Sequence, residues 1–282
     1  MQKCTSTVSD WTPPLILGHD LCPPAGMPSG QQDKDIFDRL DLPRALTPPD
    51  DAWVLVRQPG NDNLPPVLEL VRPDGVKLSI DFSSGKARHR ANEAGKGIQP
   101  LARALGLSAY RKRQGGFPGV IDATGGLGQD AWALATLGVG ITVIERHPIV
   151  HALLHNALSR AAAEPATRAT AARVRLLHGQ AEQLLPTLQS EVIYLDPMYP
   201  ERRRKKAGSR KGMQFLHALL GPPADDGNET LLSTALHSGA LRVAVKRPRG
   251  APLLNGSELW TGQRTCVESP NTRYDVYHLR SA

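Results

Sequence analysis

No apolar run in the 282 residues approaches the length of a membrane span. The beginning of the chain lacks the basic start and apolar core of a secretory signal. Only three cysteines occur, Cys4, Cys22 and Cys266, too widely spaced for a zinc pattern or a disulfide framework. Together these absences set aside a membrane protein, a secreted disulfide scaffold and a structural zinc module, and they point to a reducing cytoplasm. No internal repeat is present. What remains is a chain that is 40% hydrophobic, enough for a core, and long enough for one large α/β domain with a smaller addition.

Acidic residues are the scarcer charge. There are 27 against 34 lysines and arginines, a formal charge of +7. An excess of this size can simply keep a protein soluble, so clustering decides whether an anionic partner is implied. Arg202, Arg203, Arg204, Lys205 and Lys206 are consecutive, and Arg210-Lys211 follows. Five adjacent like charges repel one another unless an anion lies beside them. Arg88-His89-Arg90 and Arg111-Lys112-Arg113 form two smaller patches, and Lys246-Arg247 closes a later apolar run.

The first 50 residues carry paired prolines at 13–14, 23–24 and 48–49. Ile36 to Leu46 reads as a short helix; Trp53 to Arg57, Val67 to Val71 and Val76 to Phe82 read as strands, with Pro73-Asp74-Gly75 as a turn. The expectation is a small N-terminal unit of antiparallel strands over 1–95 and a main domain over 96–282. In the main domain, strands near 120–121, 140–144, 174–177, 192–195, 241–245 and 273–279 alternate with helices near 131–137, 149–163, 181–185, 214–220 and 230–237. That alternation implies an α/β fold with a mostly parallel sheet covered on both faces.

Two strand ends carry the chemistry. At the first, Asp122-Ala123-Thr124-Gly125-Gly126-Leu127-Gly128-Gln129-Asp130 places Gly125, Gly126 and Gly128 where a buried strand turns into a helix. Glycines there let the backbone approach a ligand, although a tight turn alone would also use them. Glu145 ends the second strand, where a carboxylate can accept both hydroxyls of a ribose. The same glycines satisfy the dinucleotide fingerprint, with Glu145 at the spacing an NAD site wants. Asp130 separates the two cofactors: a carboxylate near the helix N-terminus repels a pyrophosphate and attracts the cationic sulfonium and amino groups of S-adenosylmethionine. After the third strand, Gln180 could bond an adenine edge or simply begin a helix.

The second strand end is Tyr194-Leu195-Asp196-Pro197-Met198-Tyr199-Pro200. Asp196-Pro197-Met198-Tyr199 resembles the D/N-P-P-F/Y element of methyltransferases that act on exocyclic amines of bases. Such an amine is a poor nucleophile because its lone pair is delocalised into the ring. Hydrogen bonds to the Asp196 carboxylate and the Pro197 carbonyl would localise that pair, and Tyr199 would stack on the base. The chemistry needs orientation and no metal. Arg202 to Lys206 would hold the neighbouring phosphates. The plainer reading is a proline turn, an apolar filler and an aromatic lid over a sheet edge.

Taken in order, these elements are similar to the bacterial family of 16S ribosomal RNA guanine-N2 methyltransferases called RsmJ. The resemblance runs through Asp81-Phe82-Ser83-Ser84-Gly85, Arg88-His89-Arg90, the segment Asp122 to Asp130, Glu145-Arg146-His147-Pro148, the segment Tyr194 to Pro200, Val243-Ala244-Val245-Lys246-Arg247-Pro248 and Arg273-Tyr274-Asp275-Val276-Tyr277. It implies a class I (Rossmann-like) methyltransferase fold, S-adenosylmethionine as cofactor, and one guanosine near the 3′ end of the small-subunit ribosomal RNA, alone or in the subunit, as substrate. It places cofactor contacts at Gln129-Asp130, Glu145-Arg146, Gln180-Ala181 and Asp196. The chain departs from the family's usual residues at Gly125, Gln129, Tyr199 and the pair Gln180-Ala181. Three other readings stand beside this one: methylation of a different nucleic-acid amine, such as adenine N6, or of a different RNA; an RNA-binding assembly factor that keeps the fold without the activity; and an NAD-dependent enzyme, disfavoured by Asp130 and by the acid–proline–aromatic strand end.

Overall fold

The apolar runs fold into two β-sheets that share one core. The computed structural model describes residues 14–20, 36–45, 49–60, 64–84, 99–107, 110, 117, 119–198, 211–221 and 225–279. The N-terminal sheet contains β1 (Ile16–Asp20), β2 (Trp53–Gln58), β3 (Val67–Val71) and β4 (Lys77–Leu78), in that spatial order. β2, β3 and β4 pair antiparallel, as expected. β1, which the sequence did not announce, adds parallel to β2, so the unit is mixed. Helix α1 is confined to Ile36–Arg39. The expected continuation to Leu46 fails because Asp41 adopts a left-handed φ of 51° and Pro43 cannot donate to a helical turn.

The predicted strand from Val76 to Phe82 also proves shorter, because only Lys77 and Leu78 pair. The rest is diverted by a better-satisfied turn. Asp81 Oδ1 accepts bonds from the Ser83 N–H at 2.9 Å, the Ser83 hydroxyl at 2.8 Å and the Ser84 N–H at 3.3 Å. Burial would raise the Asp81 pKa, but the bonds from Ser84 and Ser83 outweigh it and hold the carboxyl below its ordinary value. This turn drives Phe82 into the main domain, where its ring stacks on Trp132 with centroids 4.5 Å apart and planes 7° from parallel.

A short helix, α2 (Gln99–Ala104), precedes the main sheet. That sheet contains β5 (Val120–Asp122), β6 (Ile141–Glu145), β7 (Val174–His178), β8 (Val192–Leu195), β9 (Arg242–Pro248), β10 (Arg264–Glu268) and β11 (Thr272–His278). Their spatial order is β10-β11-β9-β8-β5-β6-β7. The five strands from β9 to β7 are parallel, and β11 and β10 add antiparallel at one edge. The intervening helices are α3 (Gln129–Thr136), α4 (Pro148–Ala163), α5 (Arg168–Ala171), α6 (Ala181–Leu184), α7 (Lys211–Leu220) and α8 (Asp225–Leu236).

Side-chain alternation along the buried strands splits the core into two layers. Val120, Val143, Val192 and Tyr194 face α3, α4, α7 and the N-terminal sheet. Ile121, Ile144, Ile193 and Leu195 face α6 and α8. The N-terminal sheet is tied to α4 by Asn156, whose side chain accepts from the Leu68 N–H at 3.0 Å and donates to the Pro66 carbonyl at 2.8 Å. Trp53 of β2 meets Phe215 of α7 edge-on at 5.1 Å. The expected boundary near residue 95 lies outside the described residues. Among those residues, no helix is long and apolar enough to cross a membrane.

Topology fixes where a site can form. From β5 the chain moves outward through β6 and β7, then returns to place β8 on the other side of β5. Crossovers therefore leave in opposite directions from neighbouring strands, which opens a crevice at the carboxyl ends of β5 and β8. Thr124 and Asp196 stand at those two ends.

Candidate active site

Gly125 and Gly128 shape the loop after β5. A side chain on Gly125 would bring a Cβ within 2.6 Å of Val143 Cγ1, so the loop can lie flat on β6 only with glycine there. Gly128 has a φ of 67°, and a Cβ would sit 2.6 Å from Leu154 Cδ1. Glu145 fastens the loop from the neighbouring strand. Its Oε2 accepts from the Gly126 N–H and its Oε1 from the His147 N–H, each at 2.7 Å. Burial raises its pKa against the opposing pull of those two bonds and of Arg146. Glu145 thus braces the cleft it lines, and each oxygen keeps a second lone pair for a ribose hydroxyl.

Thr124 joins the two central strand ends. Its hydroxyl accepts from the Asp196 N–H at 2.6 Å and donates to Asp122 Oδ1 at 3.3 Å, and its own N–H reaches the same oxygen at 3.1 Å. Asp122 is 3% exposed. Burial pushes its pKa up to about 7; the Thr124 N–H pulls against this, while the charges of Asp130 and Asp196 add to it.

Lys246 joins the two sides of the crevice. Its ammonium lies 2.8 Å from Asp130 Oδ2 on α3 and 2.8 Å from Asp196 Oδ2 after β8. Asp130 Oδ2 also accepts from the hydroxyl of the fully buried Tyr194 at 2.7 Å. Burial alone would lower the Lys246 pKa, but Asp196 and Asp130 outweigh it and hold the ammonium well above its usual value. Asp196 moves up through burial, opposed by Lys246. Tyr274 of β11 borders the group, and burial raises its hydroxyl to about 12.

These residues line a cleft of about 330 Å³. It gathers Asp122, Gly125, Gly126, Gly128, Gln129, Asp130, Glu145, Arg146, Ala181, Asp196 and Pro197, all expected from the sequence. Gln180 does not line it; it takes the N-cap position of α6, exposed and without a side-chain capping bond, while Glu182 two residues on lines the cleft. Tyr199, Arg88, His89, Arg90 and the run Arg202, Arg203, Arg204, Lys205 and Lys206 lie outside the described residues.

The expected pairing of Lys246 with Arg247 as RNA contacts does not survive the strand that carries them. Neighbours on a strand point to opposite faces. Lys246 enters the cleft, whereas Arg247 is 5% exposed, with Nε and Nη2 donating to the Pro252 carbonyl at 3.3 and 3.1 Å. Arg247 braces the strand end from the far side. Sequence reasoning gave no role to Tyr194, Glu182 or Asn228, and all three line the cleft. Tyr194 did carry a signal: a hydroxyl inside a buried Val-Ile-Tyr-Leu strand needs a polar partner. Asn228, on a polar segment of α8, carried none.

The arrangement sets carboxyl groups at 122, 130, 145 and 196 around a cleft into which Lys246 brings a half-buried ammonium. It suits a cationic ligand and opposes a pyrophosphate. Among the described residues, no group of His, Cys, Asp and Glu is placed to hold a metal ion.

The SAM-dependent methyltransferase family model matches residues 54–279 of the chain. The chain is similar to the ribosomal RNA small subunit methyltransferase J of Hydrogenovibrio crunogenus, 44% identical over 219 residues that cover 76% of this chain and 74% of the relative. The protein of the same name from Stutzerimonas stutzeri is 41% identical over 243 residues, covering 85% and 87%. Among solved structures, a SAM-dependent methyltransferase from Neisseria gonorrhoeae superposes with a TM-score of 0.67 at 29% identity, over 95% of this chain and 97% of its own.

Proposed function

Because the chain belongs to the ribosomal RNA small subunit methyltransferase J family of SAM-dependent methyltransferases, we propose that it methylates the exocyclic N2 of one guanosine near the 3′ end of 16S ribosomal RNA, in the cytoplasm. The observation that carries this reading is the meeting of Asp130 and Asp196 across one ammonium at the crevice between β5 and β8. A cofactor carboxylate and an amine-accepting carboxylate stand side by side there.

The residues fit S-adenosylmethionine by charge and by shape. Gly125 to Gly128 leave the loop backbone open, Glu145 offers its remaining lone pairs to the ribose, and Asp130 offers negative charge to the amino-acid end. When bound, S-adenosylmethionine supplies an electrophilic methyl carbon on a sulfonium. Asp196 and the Pro197 carbonyl take the two N–H groups of the base and localise the nitrogen lone pair. That pair forms the new N–C bond as the S–C bond breaks, with the old bonding pair remaining on sulfur. The nitrogen becomes cationic, and the Asp196 carboxylate stabilises the charge until a proton leaves to water. Stacking by Tyr199 and phosphate contacts from Arg202 to Lys206 complete the proposal.

The test is to incubate the protein with radiolabelled S-adenosylmethionine and small subunits from cells lacking the gene. N2-methylguanosine is the expected labelled nucleoside. Label on adenine N6, or no label in either naked RNA or subunits, would contradict the substrate assignment.

A further inference from the structure

We propose that Lys246 is a positioning residue of the methyl-transfer site: by bonding Asp196 through Oδ2 while anchored to Asp130, it keeps Asp196 ionised and leaves Oδ1 to the incoming amine. Its place at the end of β9 makes this possible. Both contacts are 2.8 Å, and Oδ1 of Asp196 has no hydrogen-bond partner among the described residues. Among the described residues, little else is placed to keep this carboxyl charged. The described titratable groups that face it are Asp122 from β5, Asp130 from α3, Tyr194 from β8, and Tyr274 from β11. Asp130 opposes its ionisation, Asp122 is itself pushed up by the Asp196 charge, and neither tyrosine carries positive charge. Among the described residues Lys246 is the cation in contact, and Asp130, itself tied to Tyr194, fixes where that cation sits. A protonated Asp196 would offer the amine a weaker acceptor and would not stabilise charge developing on nitrogen.

The inference rests on the methyltransferase reading for its consequence, not for its measurement. In protein carrying ¹³C-labelled aspartate, without RNA, the Asp196 carboxyl signal (assigned by its loss in D196N) is titrated in wild-type, K246M and K246R. The midpoint is expected to rise by about one pH unit or more in K246M and to return towards wild-type in K246R. In single-turnover transfer at saturating S-adenosylmethionine, the acid limb of the pH profile should move upward in K246M by the same amount as the midpoint, with the loss greatest below the shifted midpoint. Coincident midpoints in wild-type and K246M overturn the proposal. A shifted midpoint in a protein that places no methyl on ribosomal RNA overturns the substrate reading instead. Should K246M not fold, K246Q, which keeps a hydrogen-bond donor without the charge, is titrated in its place, and a midpoint coincident with wild-type overturns the proposal.

Discussion

Asp196 lines the crevice with its backbone N–H held by Thr124 and its Oδ2 by Lys246, while its Oδ1 has no hydrogen-bond partner among the described residues. Replacing it with alanine should therefore reduce methyl transfer by about 10²–10³-fold, the scale of losing one stabiliser of developing charge. Binding of S-adenosylmethionine, measured by calorimetry, should change far less. Equal losses in both would make Asp196 a cofactor anchor only. Asp122 shows the opposite economy. Its folded pKa near 7 lies above its unfolded value, so the native state binds more protons than the unfolded state between those limits. Stability should thus fall as pH rises from about 4 to 7, with a cost of at most about 4 kcal/mol above that window. D122N keeps an oxygen for Thr124 and removes the charge. Its melting temperature should exceed wild-type at pH 8 and match it near pH 4; an advantage of equal size at both values would contradict the assignment.

Among the elements, those that obey a strong period were legible and those that depend on a distant partner were not. Val120-Ile121, Ile193 to Leu195 and Val243 to Val245 are apolar on both faces, as central parallel strands must be, and the glycine turn announced the loop. β10 was invisible because Arg264 to Cys266 and Glu268 are exposed, with no apolar face to give a period of two. β1 is a short edge strand whose pairing depends on β2. The diversion of Phe82 from strand to wedge depends on Asp81 bonding its own turn, a local competition that hydrophobic alternation cannot register. The site divides the same way. Asp196 and Asp130 were legible as lone acids at element ends, while the opposite fates of Lys246 and Arg247 needed the strand to continue to Pro248. Phe82 makes the N-terminal sheet a support for the glycine loop, since its ring approaches Gly128 as well as Trp132. F82A should cost about 3–5 kcal/mol in denaturant unfolding and weaken cofactor binding although it lies outside the cleft; unchanged affinity would confine Phe82 to packing.

At the scale of the whole molecule, the sheet order brings Thr124, Asp130, Asp196 and Lys246 from four elements to one crevice, and the net charge of +7 suits a polyanion. A phosphate-binding role for Arg202 to Lys206 has a thermodynamic signature. Replacing these five residues with glutamine should weaken RNA binding and flatten the dependence of log K on log salt by about 0.7 for each lost phosphate contact on single-stranded RNA; an unchanged slope would remove the run from the interface. The most direct test of the account is mass spectrometry of 16S ribosomal RNA from cells lacking the gene, complemented with wild-type or D196A protein. N2-methylguanosine near the 3′ end should be absent without the gene, restored by wild-type and not restored by D196A. Its persistence without the gene, or its restoration by D196A, would contradict the central claim.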